Sequence, residues 1–325
     1  MARVKIRRSA SIDNLTIKEA FENFITEKQA HNLSAATVRN YTKTFEKFYE
    51  FCGFDVDSSL DEVNINQIYK WINTMKLDGV KPTSINHYLR DLRTFLYWCM
   101  DDNRRYIDPP FKIKTVEAQE EQLKLFEEDE IEDLLVKPKR TDGFVEWRTW
   151  AIVSWVLGTG NRAATICDVR ITDVNFSKKE IALRHTKNKK AQIIPLSSSL
   201  ETVLKEYIRM WRKNAPVDGW LFPNVGEEQL TTNALRLSFG RYCNSRGVDK
   251  TNIHGLRHSF AKGWVRNNGN MFVLQKILSH STLDMTRRYI ALFSEDIKTD
   301  YDNYSPLDTI KKNSKRTRNV MRDNE

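Results

Sequence analysis

The sequence predicts a mainly α-helical protein with a small β-sheet, divided into a helical bundle and a mixed α/β domain. Three observations carry this. At 325 residues the chain exceeds the roughly 250–300 residues at which a single core stops growing. Up to about Met100 the apolar patterns have the helical period, whereas beyond it one pair of alternating segments interrupts further helical ones. Hydrophobic residues make up 40% of the chain, enough for sizeable cores, and 12 Gly with 8 Pro are too few for a disordered or fibrous chain.

Residues 1–14 read as a basic N-terminal arm. No apolar run stands behind Met1 to Ser11, so the arm does not read as a secretion signal. A helical bundle is expected over residues 15–102. Ile17, Ala20, Phe21, Phe24 and Ile25 fall on one stripe; Val38, Tyr41, Phe45, Phe48 and Tyr49 make a second, opened by Ser34 as N-cap and closed by Gly53. Ile65, Ile68, Ile72 and Met75 form a third stripe. Ile85, Leu89, Leu92, Phe95 and Cys99 form the fourth, behind the start signal Pro82-Thr83-Ser84. Four amphipathic helices suffice for a bundle with its own core.

Residues 103–122 lack a strong period and contain Pro109 and Pro110, which predicts an extended linker with a domain boundary near residue 110. A second domain is expected over residues 123–300. Its acidic opening reads as a solvated first helix turn. Ala151 to Leu157 reads as a buried helix ending at Gly158-Thr159-Gly160. Glu180 to Thr186 and Ala191 to Leu196 alternate like two strands about the polar turn from Lys187 to Lys190. The helical period resumes from Ser197. Residues 301–325 read as a basic tail, six Lys or Arg and no acid lying between Thr309 and Arg322.

Charge narrows the partner classes. There are 52 Lys and Arg against 43 Asp and Glu, a formal +9, which permits nucleic acid without proving it. No apolar run approaches the ~18 residues a bilayer requires, so no membrane role is expected. Cys52, Cys99, Cys167 and Cys243 match neither a disulfide scaffold nor a CxxC metal pair and read as reduced, mostly buried thiols. The protein is expected to remain in the cytoplasm, the compartment where it is made.

Several simple chemistries fail on spacing. Gly158-Thr159-Gly160 follows a helix and lacks a third glycine, no GxxxxGK loop is present, and His254 and His258 flank Gly255 rather than a glutamate; no dinucleotide, phosphate-loop or zinc site is read from them. What remains is an ordered series in the second half: Thr159-Gly160-Asn161-Arg162, then Lys187 at the hairpin, His254-Gly255-Leu256-Arg257 opening a helix, Leu278-Ser279-His280-Ser281 ending one, and Tyr289 nine residues past His280.

In that order these elements resemble the tyrosine recombinase, or phage integrase, family, and the resemblance spans nearly the whole chain. It implies a helical, SAM-like core-binding domain at residues 15–102, followed by a mixed α/β tyrosine recombinase catalytic domain. It also implies Arg162, Lys187, His254, Arg257, His280 and Tyr289 as the catalytic set, with Tyr289 the nucleophile.

The residue types suit the chemistry on their own account. Transesterification at a phosphodiester adds negative charge to the non-bridging oxygens, which the planar forks of Arg162 and Arg257 fit. A phenol of pKa about 10 needs a base or surrounding cations, and His254 is the candidate base. Lys187 suits the proton donor to the departing 5′ hydroxyl, with Lys189 and Lys190 as alternatives. His280, by the resemblance, hydrogen-bonds the phosphate.

Taken singly, an arginine in an ion pair, a half-buried tyrosine and a solvated turn lysine are ordinary structural residues; their joint order is what carries the reading. Two positions depart from the family's usual pattern. Thr165 stands where a Glu often supports the first arginine, and Gly255 stands where an Asp often follows the histidine.

On the first domain, Lys43, Lys47, Arg90 and Arg93 are candidate contacts to DNA phosphates. The implied enzyme is a site-specific DNA recombinase or integrase of mobile-element type that clamps double-stranded DNA. It works as a homo-tetramer on two DNA sites through a 3′-phosphotyrosyl link, with no cofactor, ATP or metal. A type IB topoisomerase and a DNA-binding regulator that has lost catalysis are the rival readings.

Overall fold

The computed structural model describes residues 15–101, 103–119, 125–184 and 191–279. The chain divides between Glu121 and Gln122 into two compact units.

Unit 1 contains the four helices expected: α1 (Ile17–Ala30), α2 (Ala35–Cys52), α3 (Ile65–Leu77) and α4 (Pro82–Cys99). Their ends follow from local chemistry. Ser34 accepts the Thr37 N–H at the start of α2, Gly53 closes that helix in the left-handed region, and Pro82 occupies the first turn of α4, where a missing N–H costs nothing. The stripes read from the sequence meet in one core, in which Phe21 stacks on Phe45 at 3.8 Å between ring centroids and Phe95 stands edge-on to both.

The proline-bearing stretch lacks regular secondary structure, as expected, but it does not run free from residue 103. Ile107 and Ile113 are buried in the core of unit 1. The Ile113 N–H donates to the Tyr97 hydroxyl, and the Asn86 amide both donates to the Val116 carbonyl and accepts from the Val116 N–H, at 2.8 Å each. An extended segment must satisfy its backbone groups with partners outside itself, and α4 supplies them here.

Unit 2 is built around α6 (Phe144–Thr159), which is apolar on nearly every face and accordingly buried. Packed about it are α5 (Glu128–Leu135), α8 (Ser198–Tyr207), α9 (Thr232–Asn244) and α10 (Ile253–Arg266), while the short α7 (Ala163–Ile166) packs against α9 and α11 (Met271–Ile277) against α10. The acidic opening forms the first turn of α5, where Glu128 also pairs with Arg266 and Glu130 with Lys250.

The expected hairpin is present as β2 (Glu180–Leu183) and β3 (Gln192–Pro195), antiparallel with Ile181 opposite Ile194 and Leu183 opposite Gln192. A two-residue strand the sequence did not announce, β1 (Val174–Asn175), completes a sheet of order β1-β2-β3. Beyond α8 the chain forms a π-helical turn, Ile208–Arg212, which delivers the buried Arg212 to Glu227. Among the described residues no helix is long and apolar enough to cross a membrane. Cys99, Cys167 and Cys243 are buried and Cys52 partly so, all as free thiols.

Candidate active site

The site forms where the C-terminus of α6, the N-terminus of α10 and the C-terminus of α11 meet. At the end of α6 the Thr159 hydroxyl donates to the Trp155 carbonyl, and the buried Asn161 side chain accepts from the Trp155 indole at 3.0 Å. Between them Gly160 adopts φ +63° and caps the helix. A Cβ there would lie 2.5 Å from Phe260 and 2.7 Å from Leu278, so conformation and space both demand glycine. The turn leaves Arg162 at the N-cap of α7.

Arg257 lies on the inner face of α10, 3% exposed. Its Nη1 donates to the Gly160 carbonyl at 2.6 Å and its Nη2 to the Leu278 carbonyl at 2.8 Å. Arg162 Nη1 donates to that same Leu278 oxygen at 3.2 Å. One main-chain carbonyl at the end of α11 therefore orients both guanidiniums. Thr165 stands where the family pattern often has Glu, and the Leu278 carbonyl provides support for Arg162 that the sequence alone left open.

His254 is exposed in the first turn of α10, its backbone N–H donating to the Asn252 cap. Partial desolvation first, and then the positive charges of Arg257 and Arg162, hold its imidazole below the ordinary range. The ring is therefore neutral near pH 7 and able to accept a proton. His258, one turn on, packs edge-on to it with centroids 5.0 Å apart. Desolvation, then His254 and Arg257, pull its pKa down to about 4. The sequence singles out no role for His258; its spacing of four from His254 is the one signal that places the two rings side by side.

Two further residues meet at this corner: Gln192, which carries no sequence signal, and Ser279, which lies inside the Leu278-Ser279-His280-Ser281 element without a role of its own there. From β3, Gln192 Nε2 donates to the Lys276 carbonyl at 2.7 Å, and its Oε1 accepts from the Ser279 hydroxyl at 2.6 Å. The structure thus brings Arg162, His254 and Arg257 together. Lys187, His280 and Tyr289, with the alternatives Lys189 and Lys190, lie outside the described residues.

The four DNA-contact candidates lie on α2 and α4 of unit 1, whose neighbouring faces are joined by a Thr44 to Asp91 hydrogen bond of 3.4 Å. Lys43, Lys47 and Arg90 are exposed, and Arg93 is half-buried. Lys47 donates to the Tyr88 hydroxyl at 2.9 Å, Arg90 to the His87 ring at 2.6 Å, and Arg93 lies over the Tyr97 ring. Aromatic and imidazole neighbours hold three of the cations without neutralising them.

Comparison with known proteins agrees with this layout. Residues 124–296 match the model of the phage integrase family, and residues 19–103 that of the phage integrase N-terminal SAM-like domain. Tyrosine recombinase XerD of Listeria innocua serovar 6a is 25% identical over 301 residues, 90% of this chain and 99% of that protein. Tyrosine recombinase XerA of Pyrococcus furiosus is 25% identical over 297 residues, 90% of this chain and 96% of that one. The fold is shared with the XerH site-specific recombinase bound to a palindromic difH substrate, at TM-score 0.68 and 20% identity over 90% of this chain and 91% of that one.

Proposed function

The chain belongs to the phage integrase family, and from that premise we propose that it is a site-specific DNA recombinase that cleaves and rejoins duplex DNA through a 3′-phosphotyrosyl intermediate at Tyr289. The observation that carries this reading is the pair of guanidiniums, Arg162 and Arg257, oriented by the single Leu278 carbonyl beside a neutral His254.

In the proposed reaction a scissile phosphate sits on the two guanidiniums, whose fixed donors stabilise the charge that builds on its non-bridging oxygens. The phenol of Tyr289 passes its proton to His254 as its oxygen bonds to phosphorus. The bond from phosphorus to the 5′ oxygen breaks, and Lys187 supplies the proton that the departing hydroxyl takes. His280 contributes a further hydrogen bond to the phosphate. The new phosphotyrosyl ester replaces one phosphodiester by another, so the bond energy is retained and neither ATP nor a metal is needed. Attack by a 5′ hydroxyl of a second duplex then reverses the step and exchanges strands. Lys43, Lys47, Arg90 and Arg93 hold the duplex backbone, and four protomers act on two sites.

The test uses a library of nicked duplexes of random sequence, in which the short 5′-hydroxyl fragment diffuses away after cleavage and traps the adduct. Purified protein should form a covalent adduct, and sequencing the captured DNA gives its site. Tyr289→Phe should still bind a duplex of that sequence and form no adduct. An adduct that survives Tyr289→Phe overturns the assignment of the nucleophile.

A further inference from the structure

The corner from Lys276 to Ser279 is held from two directions. From one, Arg162 and Arg257 donate to the Leu278 carbonyl. From the other, the side chain of Gln192 reaches across from β3, donating to the Lys276 carbonyl and accepting from the Ser279 hydroxyl. Ser279 adopts φ +49°, a region that costs a residue with a side chain about 1 kcal/mol or more. Its backbone N–H donates to the same Lys276 carbonyl that Gln192 uses. A helix end leaves its last carbonyls to be satisfied from outside, and here the amide of Gln192 serves one of them and fixes the residue after Leu278 as well.

We propose that Gln192 is a positioning residue for the reaction, a clasp that fixes the Lys276–Ser279 corner and, through the Leu278 carbonyl, the placement of Arg162 and Arg257 on the scissile phosphate. The inference rests on the phosphate-binding reading of those arginines. It makes β3 a structural part of the anion site through a contact to protein atoms. A misplacement of about 1 Å at a charge-stabilising group is costly because the benefit of fixed donors depends on their pre-set geometry.

The experiment follows single-turnover cleavage by the full-length protein on nicked duplexes of the captured sequence. Three scissile linkages are compared: a phosphodiester, a methylphosphonate, and a phosphodiester with a 5′-thiol leaving group. The methylphosphonate replaces a charged oxygen with methyl and so lessens the need for the guanidiniums; the thiol leaves without a proton. Gln192→Ala should slow cleavage of the phosphodiester and the thiol substrate roughly tenfold, and that of the methylphosphonate by less than about threefold, the scale of one lost positioning hydrogen bond. Ser279→Ala should show a smaller loss of the same pattern, and the double variant should be no slower than Gln192→Ala, since the contact to Gln192 that Ser279→Ala removes is one that Gln192→Ala has already removed.

Equal losses on all three linkages, relief on the thiol alone, or no loss on the phosphodiester would each overturn the proposal. Arg257→Ala separates its failure from that of the underlying reading. If Arg257→Ala is relieved by the methylphosphonate and Gln192→Ala is not, the clasp alone is wrong. If Arg257→Ala is not relieved, the phosphate-binding reading falls and the clasp with it.

Discussion

Gly160→Ala tests whether the end of α6 is as tightly determined as its geometry indicates. The backbone there has φ +63°, and placing a residue with a Cβ in that region costs about 1–2 kcal/mol. The added methyl would meet Phe260 at 2.5 Å and Leu278 at 2.7 Å, and overpacking of this kind costs about 1–3 kcal/mol. Loss of glycine's freedom in the unfolded chain returns about 0.4–1 kcal/mol. The net expectation is a destabilisation of about 3 kcal/mol, or a melting shift of roughly 6–12 °C for a unit of this size. Phe260 is half-buried and can swing aside, whereas Leu278 is fully buried. Relief at Leu278 would shift the carbonyl to which both arginines donate, so covalent adduct formation should also fall by more than about tenfold. The assay is a thermal melt of the full-length variant alongside suicide-substrate cleavage at a temperature where it remains folded. A melt within about 2 °C of the parent would show that the turn relaxes freely and would refute the reasoning.

Three other predictions concern charge and protons. Lys187→Ala should slow cleavage of an ordinary phosphodiester and lose much less on a 5′-thiol substrate, which needs no proton donor; equal losses would reject the role of general acid. Changing Lys43, Lys47, Arg90 or Arg93 singly to Gln should each reduce the slope of log affinity against log salt by about 0.9, measured by fluorescence anisotropy on duplex DNA, and an unchanged slope marks a residue that touches no phosphate. His258, with a folded pKa of about 4 against an ordinary value near 6.5, takes up its proton more readily when unfolded. Its contribution to stability is therefore complete above about pH 6.5 and is lost as pH falls from there toward 4. His258→Gln should flatten that part of the profile in denaturant titrations across this range.

The sequence showed what local chemistry decides. Ser34, Gly53 and Pro82 act on their own turns, so helix ends could be placed from residue type alone. Arg162, His254 and Arg257 were found because their order along the chain is distinctive, and the structure brings these three together. Contacts made at long range were not legible. Gln192 and Ser279 lie 87 positions apart; Gln192 belongs to no motif, and the motif that contains Ser279 gives it no role. Strand β1 has two residues, too few to show a period, and exists because Val174 finds Ile181 as a partner. Ile107 and Ile113 looked like linker residues because their burial depends on α4, not on their neighbours in sequence.

The oxygen to which both guanidiniums point belongs to the main chain, and this limits what side-chain replacement can reveal. Exchanging Leu278 for another residue leaves its peptide oxygen in place, so side-chain replacement there tests the buried packing of the leucine and not the organising atom. A saturation mutagenesis survey would record the cost of unpacking that leucine and not the cost of losing the oxygen. Replacing the peptide bond after Leu278 by an ester through chemical synthesis weakens that oxygen as an acceptor and also removes the Ser279 N–H that donates to the Lys276 carbonyl, so the two losses are read together.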